Sequence, residues 1–308
     1  MAKAIVVGSI NMDIVAFVKN HPKIGQTVFG KEVKYFPGGK GSNQAISCKR
    51  LGCDTVMVGR VGDDSFGDEM LRVQREEGID VANVEKLNNT TTGTAFITVS
   101  DNSDNSIIVI SGANSSWEDD FVDRIKIEKD DLVLAQFEVP DWVIEKVFVK
   151  AKECGAMTML NPAPVRDCKK KIINTTDIMI VNEIELQEIS GIEIDKDQDE
   201  SVFIGAQKLL ELGIESVVVT LGEKGVRLLS NGKRKRLNAR SVTPVDTTGA
   251  GDCFIGGIAA GLLKGSNLKK AAELGNIAAS ISVTREGAAS SIPTLNEVNQ
   301  FFGENYGK

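Results

Sequence analysis

The chain is 308 residues long and 42% hydrophobic, enough apolar sequence to bury a sizeable core, which excludes a disordered reading. Its formal charge of −7 argues against a general nucleic-acid binder, since displacing counterions from phosphates needs a basic surface. One histidine, His21, and five scattered cysteines without a C-x-x-C pair argue against a histidine-based zinc site and a Ser-His-Asp hydrolase.

Residues 1–3 lead straight into the apolar run 4–8, too short for a secretory signal core, and no stretch approaches the ~20 apolar residues of a membrane span. A cytoplasmic location with reduced thiols is therefore expected. That run is the first of six candidate buried strands, at 4–8, 55–61, 132–137, 157–160, 177–181 and 216–220. Between them, 41–51, 66–77, 142–154 and 201–212 carry apolar residues at helical spacing. Continuous apolar strands joined by helices imply a mostly parallel sheet covered on both faces, a three-layer α/β/α architecture.

Two stretches break this rhythm. Residues 14–36 and 94–110 read as strands with no helix between them, the second pair turning through polar residues 101–105 and favouring antiparallel pairing. They predict a small discontinuous β-sheet, 14–36 and 94–111, projecting from an α/β catalytic domain of 1–13, 37–93 and 112–308. Gly38, Gly39, Gly93 and Gly112 at its borders are candidate hinges, and an irregular edge of the main sheet is the alternative. His21, beside Pro22, reads as a loop residue. The basic run 233–236 reads as a solvated hairpin or edge strand. The C-terminal third is helical, at 250–264, 268–283 and 294–302.

The strongest chemical signal is Asp246-Thr247-Thr248-Gly249-Ala250-Gly251-Asp252, directly ahead of an apolar helical run. Gly249 and Gly251 allow the N–H groups of a helix start to turn toward one point, where donors and dipole both favour a phosphate. Asp252 falls in the first turn, where the dipole is expected to keep it ionised. A carboxylate beside an anion hole is what phosphoryl transfer to an alcohol needs: the base takes the hydroxyl proton late, and the amides stabilise the transferring group. The alternative is an Asp-capped helix after a Gly-rich turn.

Pro37-Gly38-Gly39-Lys40-Gly41-Ser42-Asn43 is a second glycine-rich segment. It is not a Walker A motif, because glycine rather than Ser or Thr follows Lys40. Its backbone can approach a ligand closely, and Asn43 offers an amide for hydroxyls. Gly8-Ser9-Ile10-Asn11-Met12-Asp13 follows the first strand, which predicts Asn11 and Asp13 at the carboxyl end of a parallel strand, where open α/β sheets bind ligands. Alone, the pair also fits turn residues that bond their own backbone. No G-x-G-x-x-G follows that strand, which counts against a nicotinamide or flavin enzyme. Three more polar clusters end apolar runs and are expected to share one crevice: Glu138, Asn182-Glu183-Ile184-Glu185, and Thr220-Leu221-Gly222-Glu223-Lys224-Gly225.

Together these residues resemble the ribokinase (phosphofructokinase-B-like) family of sugar and nucleoside kinases, from Val7 to Pro293. Both family signatures are present, around 38–43 and 246–257. Residues 8–13, 136–138, 161–164 and 282–288 are most similar to the ribose-phosphorylating members. The resemblance implies ATP-dependent phosphorylation of the terminal (O5) hydroxyl of D-ribose, with 2-deoxyribose, fructose or a nucleoside as alternative acceptors. It implies that Asn11, Asp13, Gly39, Lys40, Asn43 and Glu138 hold the sugar, that Asp252 is the base, and that Gly249, Ala250 and Gly251 form the anion hole. Asn182, Gly251 and the loop Thr220, Leu221, Gly222, Glu223, Lys224, Gly225 would bind ATP, with Asn276 near the adenine. Glu185 would position Mg²⁺ through water, and Asp246, Thr248, Ser282, Arg285, Gly287 and Ser291 would hold K⁺. The projecting sheet would be a lid, two lids pairing in a homodimer. Ser42, where alanine is common, is a small departure. A non-catalytic sugar-binding regulator would be free to lose Asp252 or the anion hole, and both are present.

Overall fold

The computed structural model describes residues 2–102 and 104–302, so Ser103 of the expected polar turn lies outside them. The chain opens with β1 (Ala4–Val7), β2 (Asn11–Val18), β3 (Gly30–Gly38), α1 (Lys40–Arg50), β4 (Thr55–Gly62) and α2 (Ser65–Glu76). Then come β5 (Asp80–Leu87), β6 (Gly93–Ser100), β7 (Asn105–Ile110), α3 (Phe121–Arg124), β8 (Leu132–Gln136), α4 (Asp141–Cys154) and β9 (Met157–Asn161). The second half runs through α5 (Lys170–Ile173), β10 (Ile178–Asn182), α6 (Glu183–Ser190), α7 (Asp199–Leu212), β11 (Ser216–Thr220), β12 (Val226–Ser230) and β13 (Lys233–Leu237). It closes with α8 (Ala250–Leu263), α9 (Leu268–Ser282) and α10 (Leu295–Phe302).

Nine strands form one sheet in the order β13-β12-β11-β10-β9-β8-β1-β4-β5. It is parallel from β5 to β11, and β12 and β13 add an antiparallel edge. Side chains alternate across a strand, so each strand feeds two cores. On β1, Ala4 and Val6 join α1, α2, α8 and α9 on one face, while Ile5 and Val7 join α4 and α7 on the other. That is the three-layer architecture the continuous apolar runs predict. The basic run forms edge strand β13, where Arg234 pairs with Glu200 and Arg236 with Asp199.

From β1 the chain proceeds to β4 on one side, whereas β8 proceeds to β9 on the other. Strand order therefore reverses between β1 and β8, and their carboxyl ends flank a natural crevice.

The second sheet has the order β3-β2-β6-β7. Each sequential pair is antiparallel, as expected, but β2 and β6 pair in parallel, so the sheet is mixed. Its strands occupy 11–18, 30–38, 93–100 and 105–110, and begin earlier than the sequence suggests. Asn11 and Asp13 thus lie at the start of β2, not at the end of a main-sheet strand; β1 ends at Val7. His21 is a loop residue whose Nε2 lies 3.2 Å from the Asp104 carbonyl. No helix among the described residues is long and apolar enough to cross a membrane.

Candidate active site

Helix α8 starts at Gly249, which caps it in the left-handed conformation, φ 73°. A side chain there would be strained, and its Cβ would sit 2.9 Å from Ala288. The Ala250 N–H is bonded to the Thr247 carbonyl at 3.2 Å. Of the expected Gly249-Ala250-Gly251 set, the Ala250 N–H is thus engaged within the turn, and the helix start adds the Asp252 N–H to the donors it leaves for an anion. Gly251 is exposed, and a Cβ there would meet open space, so a ligand can approach its backbone.

Asp252, in the same first turn, is buried. Asn43 Nδ2 donates to its Oδ2 at 3.1 Å, and Gln44 Nε2 donates to its Oδ1 at 2.8 Å. Burial pushes its carboxyl above the usual range; Lys40, Gln44 and Asn43 pull it back, and Glu138 adds to the rise. The helix start therefore does not decide its ionisation alone. Lys40, at the start of α1, is itself partly desolvated, yet the charges of Asp252, Glu138 and Glu185 hold its ammonium above the ordinary lysine range.

On the other side of Asp252 lie the residues expected to hold a sugar. Glu138, just past β8, accepts from the Ser9 hydroxyl and from the Lys40 N–H, the latter at 3.0 Å. Asn11 Oδ1 accepts from Asn114 Nδ2 at 2.7 Å, and Asn114 also brackets Ile10 through both backbone groups. Asp13 packs against Gly38, where a Cβ would collide with its carboxylate. Burial, then the charges of Glu138 and Asp252, raise its pKa from 3.8 to about 7. Asn43 Oδ1 is buried without a hydrogen-bond partner among the described residues, an acceptor suited to a sugar hydroxyl.

The residues expected to bind a nucleotide include the lining of a crevice formed by Lys40, Asn182, Glu185, Thr220, Gly249, Gly251 and Asp252. Leu221 is buried, so its side chain faces the core. Lys224 pairs with Asp197, while Gly222 and Glu223 are exposed and Gly225 is buried at the foot of the loop. Asn276 lies in a separate surface cleft with Asn238, Arg240 and Glu273, and donates to the Asn238 carbonyl at 2.8 Å.

Glu185 has a structural duty that the sequence reading did not foresee. It accepts from the Asn182 N–H at 2.9 Å, while Asn182 Oδ1 accepts from the Glu185 N–H at 2.8 Å, a capping box for α6. Its carboxyl is pushed up by burial, against the Asn182 N–H and Lys40. A buried acid in the wall of a phosphate-sized crevice fits a divalent cation that arrives with a nucleotide.

Asp246 joins two loops. Its Oδ1 accepts from the Thr248 N–H at 2.9 Å and its Oδ2 from the Gly287 N–H at 2.9 Å. Against burial, these bonds and the Thr248 hydroxyl pull its carboxyl below the ordinary range. Arg285 turns its side chain to Glu297, and Ser282 and Ser291 donate their hydroxyls to the Ala279 and Ala288 carbonyls. With these side chains engaged, what Ser282, Arg285 and Ser291 have left to offer a cation is their backbone carbonyls, the kind of oxygen that suits a large monovalent ion. Among the described residues no cluster of three or more His, Cys, Asp or Glu forms a side-chain metal site.

Gln44, Gln136, Asn161 and Asn114 were missed as site residues. Asn161 and Asn114 sit near expected elements, but their partners lie 19 and 104 residues away, a separation no local pattern reveals.

The sequence profile of the pfkB family carbohydrate kinases matches residues 1–295. The ribokinase of Haemophilus influenzae is 38% identical over 298 residues, 96% of this chain and 97% of that protein. The deoxyribokinase of Salmonella typhi is 33% identical over 303 residues, 97% of this chain and 98% of that one. A structure of Arabidopsis thaliana ribokinase complexed with ribose and ATP superposes with a TM-score of 0.91 at 30% identity, covering 99% of this chain and 100% of the other.

Proposed function

The chain belongs to the pfkB family of carbohydrate kinases, and from that premise we propose that it transfers the γ-phosphoryl group of ATP to the terminal hydroxyl of D-ribose, giving ribose 5-phosphate and ADP. One observation carries the assignment of roles. Asp252 is a buried carboxylate on the first turn of α8, with sugar-type hydrogen-bonding groups on one side and a phosphate-sized crevice on the other.

In this reading Asn11, Asp13, Gly39, Lys40, Asn43 and Glu138 hold the sugar hydroxyls. Asp252 removes the proton of the terminal hydroxyl late in its attack on the γ-phosphorus, and the bond to the ADP oxygen breaks in line. The Gly251 and Asp252 amides and the Lys40 ammonium face the charge that develops on the transferring group. Asn182, the 220–225 loop and Asn276 bind the nucleotide. Mg²⁺ supplies charge neutralisation on the phosphates, and Glu185 would hold it through water. Asp246, with Thr248, Ser282, Arg285, Gly287 and Ser291, would hold K⁺ beside the helix start.

The sheet of β2, β3, β6 and β7 serves as a lid in this proposal. The edge strand β7 exposes Ile107, Ile108, Val109 and Ile110 in succession, which supports a lid-to-lid homodimer, because an unpaired apolar edge favours pairing. The five cysteines are free thiols, consistent with a cytoplasmic protein.

The deoxyribokinase relative keeps 2-deoxyribose open as an alternative acceptor. A site built to bond a hydroxyl leaves buried groups unpaired when that hydroxyl is missing. An ADP-release assay across D-ribose, 2-deoxyribose, D-fructose and adenosine is therefore expected to give the highest kcat/KM for D-ribose. Equal or better turnover of 2-deoxyribose or adenosine would refute the ribose assignment.

A further inference from the structure

The base has a buried polar support. Gln44 sits on α1, one residue past Asn43, and is wholly buried. Its Nε2 donates to Asp252 Oδ1 at 2.8 Å and to Asn161 Oδ1 at 3.3 Å, while its Oε1 accepts from Gln136 Nε2 at 2.6 Å. Asn161 is oriented in turn, because its Nδ2 donates to the Ile180 carbonyl at 3.2 Å.

Hydrogen-bond polarity fixes the direction of this chain. An ionised Asp252 only accepts, so Gln44 must present its NH₂ to it. Gln44 then turns its carbonyl to Gln136, which must donate, and Asn161 must offer its carbonyl because its own NH₂ is held by Ile180. Every partner demands the same amide orientation. Space is fitted to this arrangement: a Cβ on Gly8 would collide with Gln136 Oε1, so the residue just past β1 is the one that admits the Gln136 amide.

We propose that Gln44, locked by Gln136 and Asn161, is a positioning residue that sets the plane of the Asp252 carboxylate against the attacking sugar hydroxyl. The proposal rests on Asp252 being the base. Gln44 touches neither substrate in this reading, and Gln136 stands one partner further back. Asn43 holds only Oδ2, so without Gln44 the carboxylate is free to turn about a single bond. A base misaimed by about 1 Å loses on the order of 10² in rate.

The test is steady-state kinetics of the full-length protein with ribose and ATP. Gln44→Met keeps volume and removes the donor. Gln136→Met removes the lock, and Gln136→Glu offers Gln44 an acceptor where it needs a donor, which favours the flipped amide. Gln44→Met is expected to lower kcat about 10- to 100-fold, with both KM values within about threefold. Gln136→Glu is expected to lower kcat more than Gln136→Met, although neither change touches Asp252. Loss of the Gln44 donor is also expected to move the acidic limb of the kcat/KM profile upward, since a bond to the charged carboxylate is gone. Lys40, Asp13, Glu138 and Glu185 also bear on Asp252 and are unchanged in all three variants. If Gln44→Met is insoluble, the two Gln136 variants decide.

Asp252→Asn, run alongside, separates the two layers. Loss of kcat in Asp252→Asn with wild-type kcat and an unmoved profile in the Gln variants would overturn the positioning role and leave the base assignment standing. Near-wild-type kcat in Asp252→Asn would overturn both. Raised KM values with unchanged kcat in the Gln variants would also overturn it, since that marks a binding-site distortion.

Discussion

Asp13 offers a direct energetic consequence of how the site is built. In the free protein its pKa is pushed up from 3.8 to about 7, because it is largely withdrawn from solvent and lies near the carboxylates of Glu138 and Asp252. Between about pH 4 and about pH 7 the folded protein then binds more protons at this position than the unfolded chain does. Stability rises with pH only where the unfolded state binds more protons. The sign here is the opposite, and Asp13 makes the sugar-free protein less stable as pH rises through that window. At about 1.36 kcal/mol per pH unit, the displacement corresponds to about 4 kcal/mol at pH 8. Neutralising Asp13 also relieves its two carboxylate neighbours, so Asp13→Asn is expected to stabilise the protein by about 2–4 kcal/mol at pH 8 and by little at pH 4. Urea unfolding of wild type and variant at several pH values between 4 and 8, without sugar or nucleotide, measures it. Bound ligand must be absent, since it stabilises the folded state by mass action. The same variant is expected to raise KM for ribose. Parallel stability curves for the two proteins, or a variant less stable than wild type at pH 8, would refute the reasoning.

Two further outcomes test the proposed moving parts. Hydrogen exchange in 11–38 and 93–110 is expected to slow together when ribose is added, and unchanged exchange in either segment removes it from the lid. In a KCl titration at constant ionic strength, balanced with tetramethylammonium chloride, kcat is expected to rise with K⁺ and less with Na⁺. Asp246→Ala should abolish that rise; a flat wild-type response would sink the cation site.

The main sheet was legible because its strands are buried on both faces and read as unbroken apolar runs. β5 was not, for the converse reason: it is an edge strand with the half-exposed sequence of a loop. The site was legible where chemistry is local, as in the segment from Asp246 to Asp252, and where glycines mark a tight approach. It was not legible where function is shared across the fold. Gln44 looks like an ordinary polar residue on a helix, and its partners Gln136 and Asp252 are 92 and 208 residues away. Asn11 and Asp13 were placed on the wrong sheet, because a chain that leaves one strand and enters another within four residues shows no break in its pattern.

That short passage from β1 to β2 has a mechanical side. Asn11 and Asp13 stand at the root of β2, whose far end at Val18 lies 7 residues beyond Asn11, about 23 Å along an extended strand. A strand rooted in the crevice can work as a lever, its short arm at the place proposed for the sugar. Turning it by about 10° at the root carries the tip about 4 Å. A displacement of a few tenths of an ångström between Asp13 and a hydroxyl is thus magnified at the rim of the sheet, where β7 exposes its isoleucines. If Asn11 and Asp13 hold the sugar as proposed, whatever pairs with that rim is geared to the acceptor pocket, and a change at the outer edge, far from any substrate atom, would be felt first in how tightly the sugar is held.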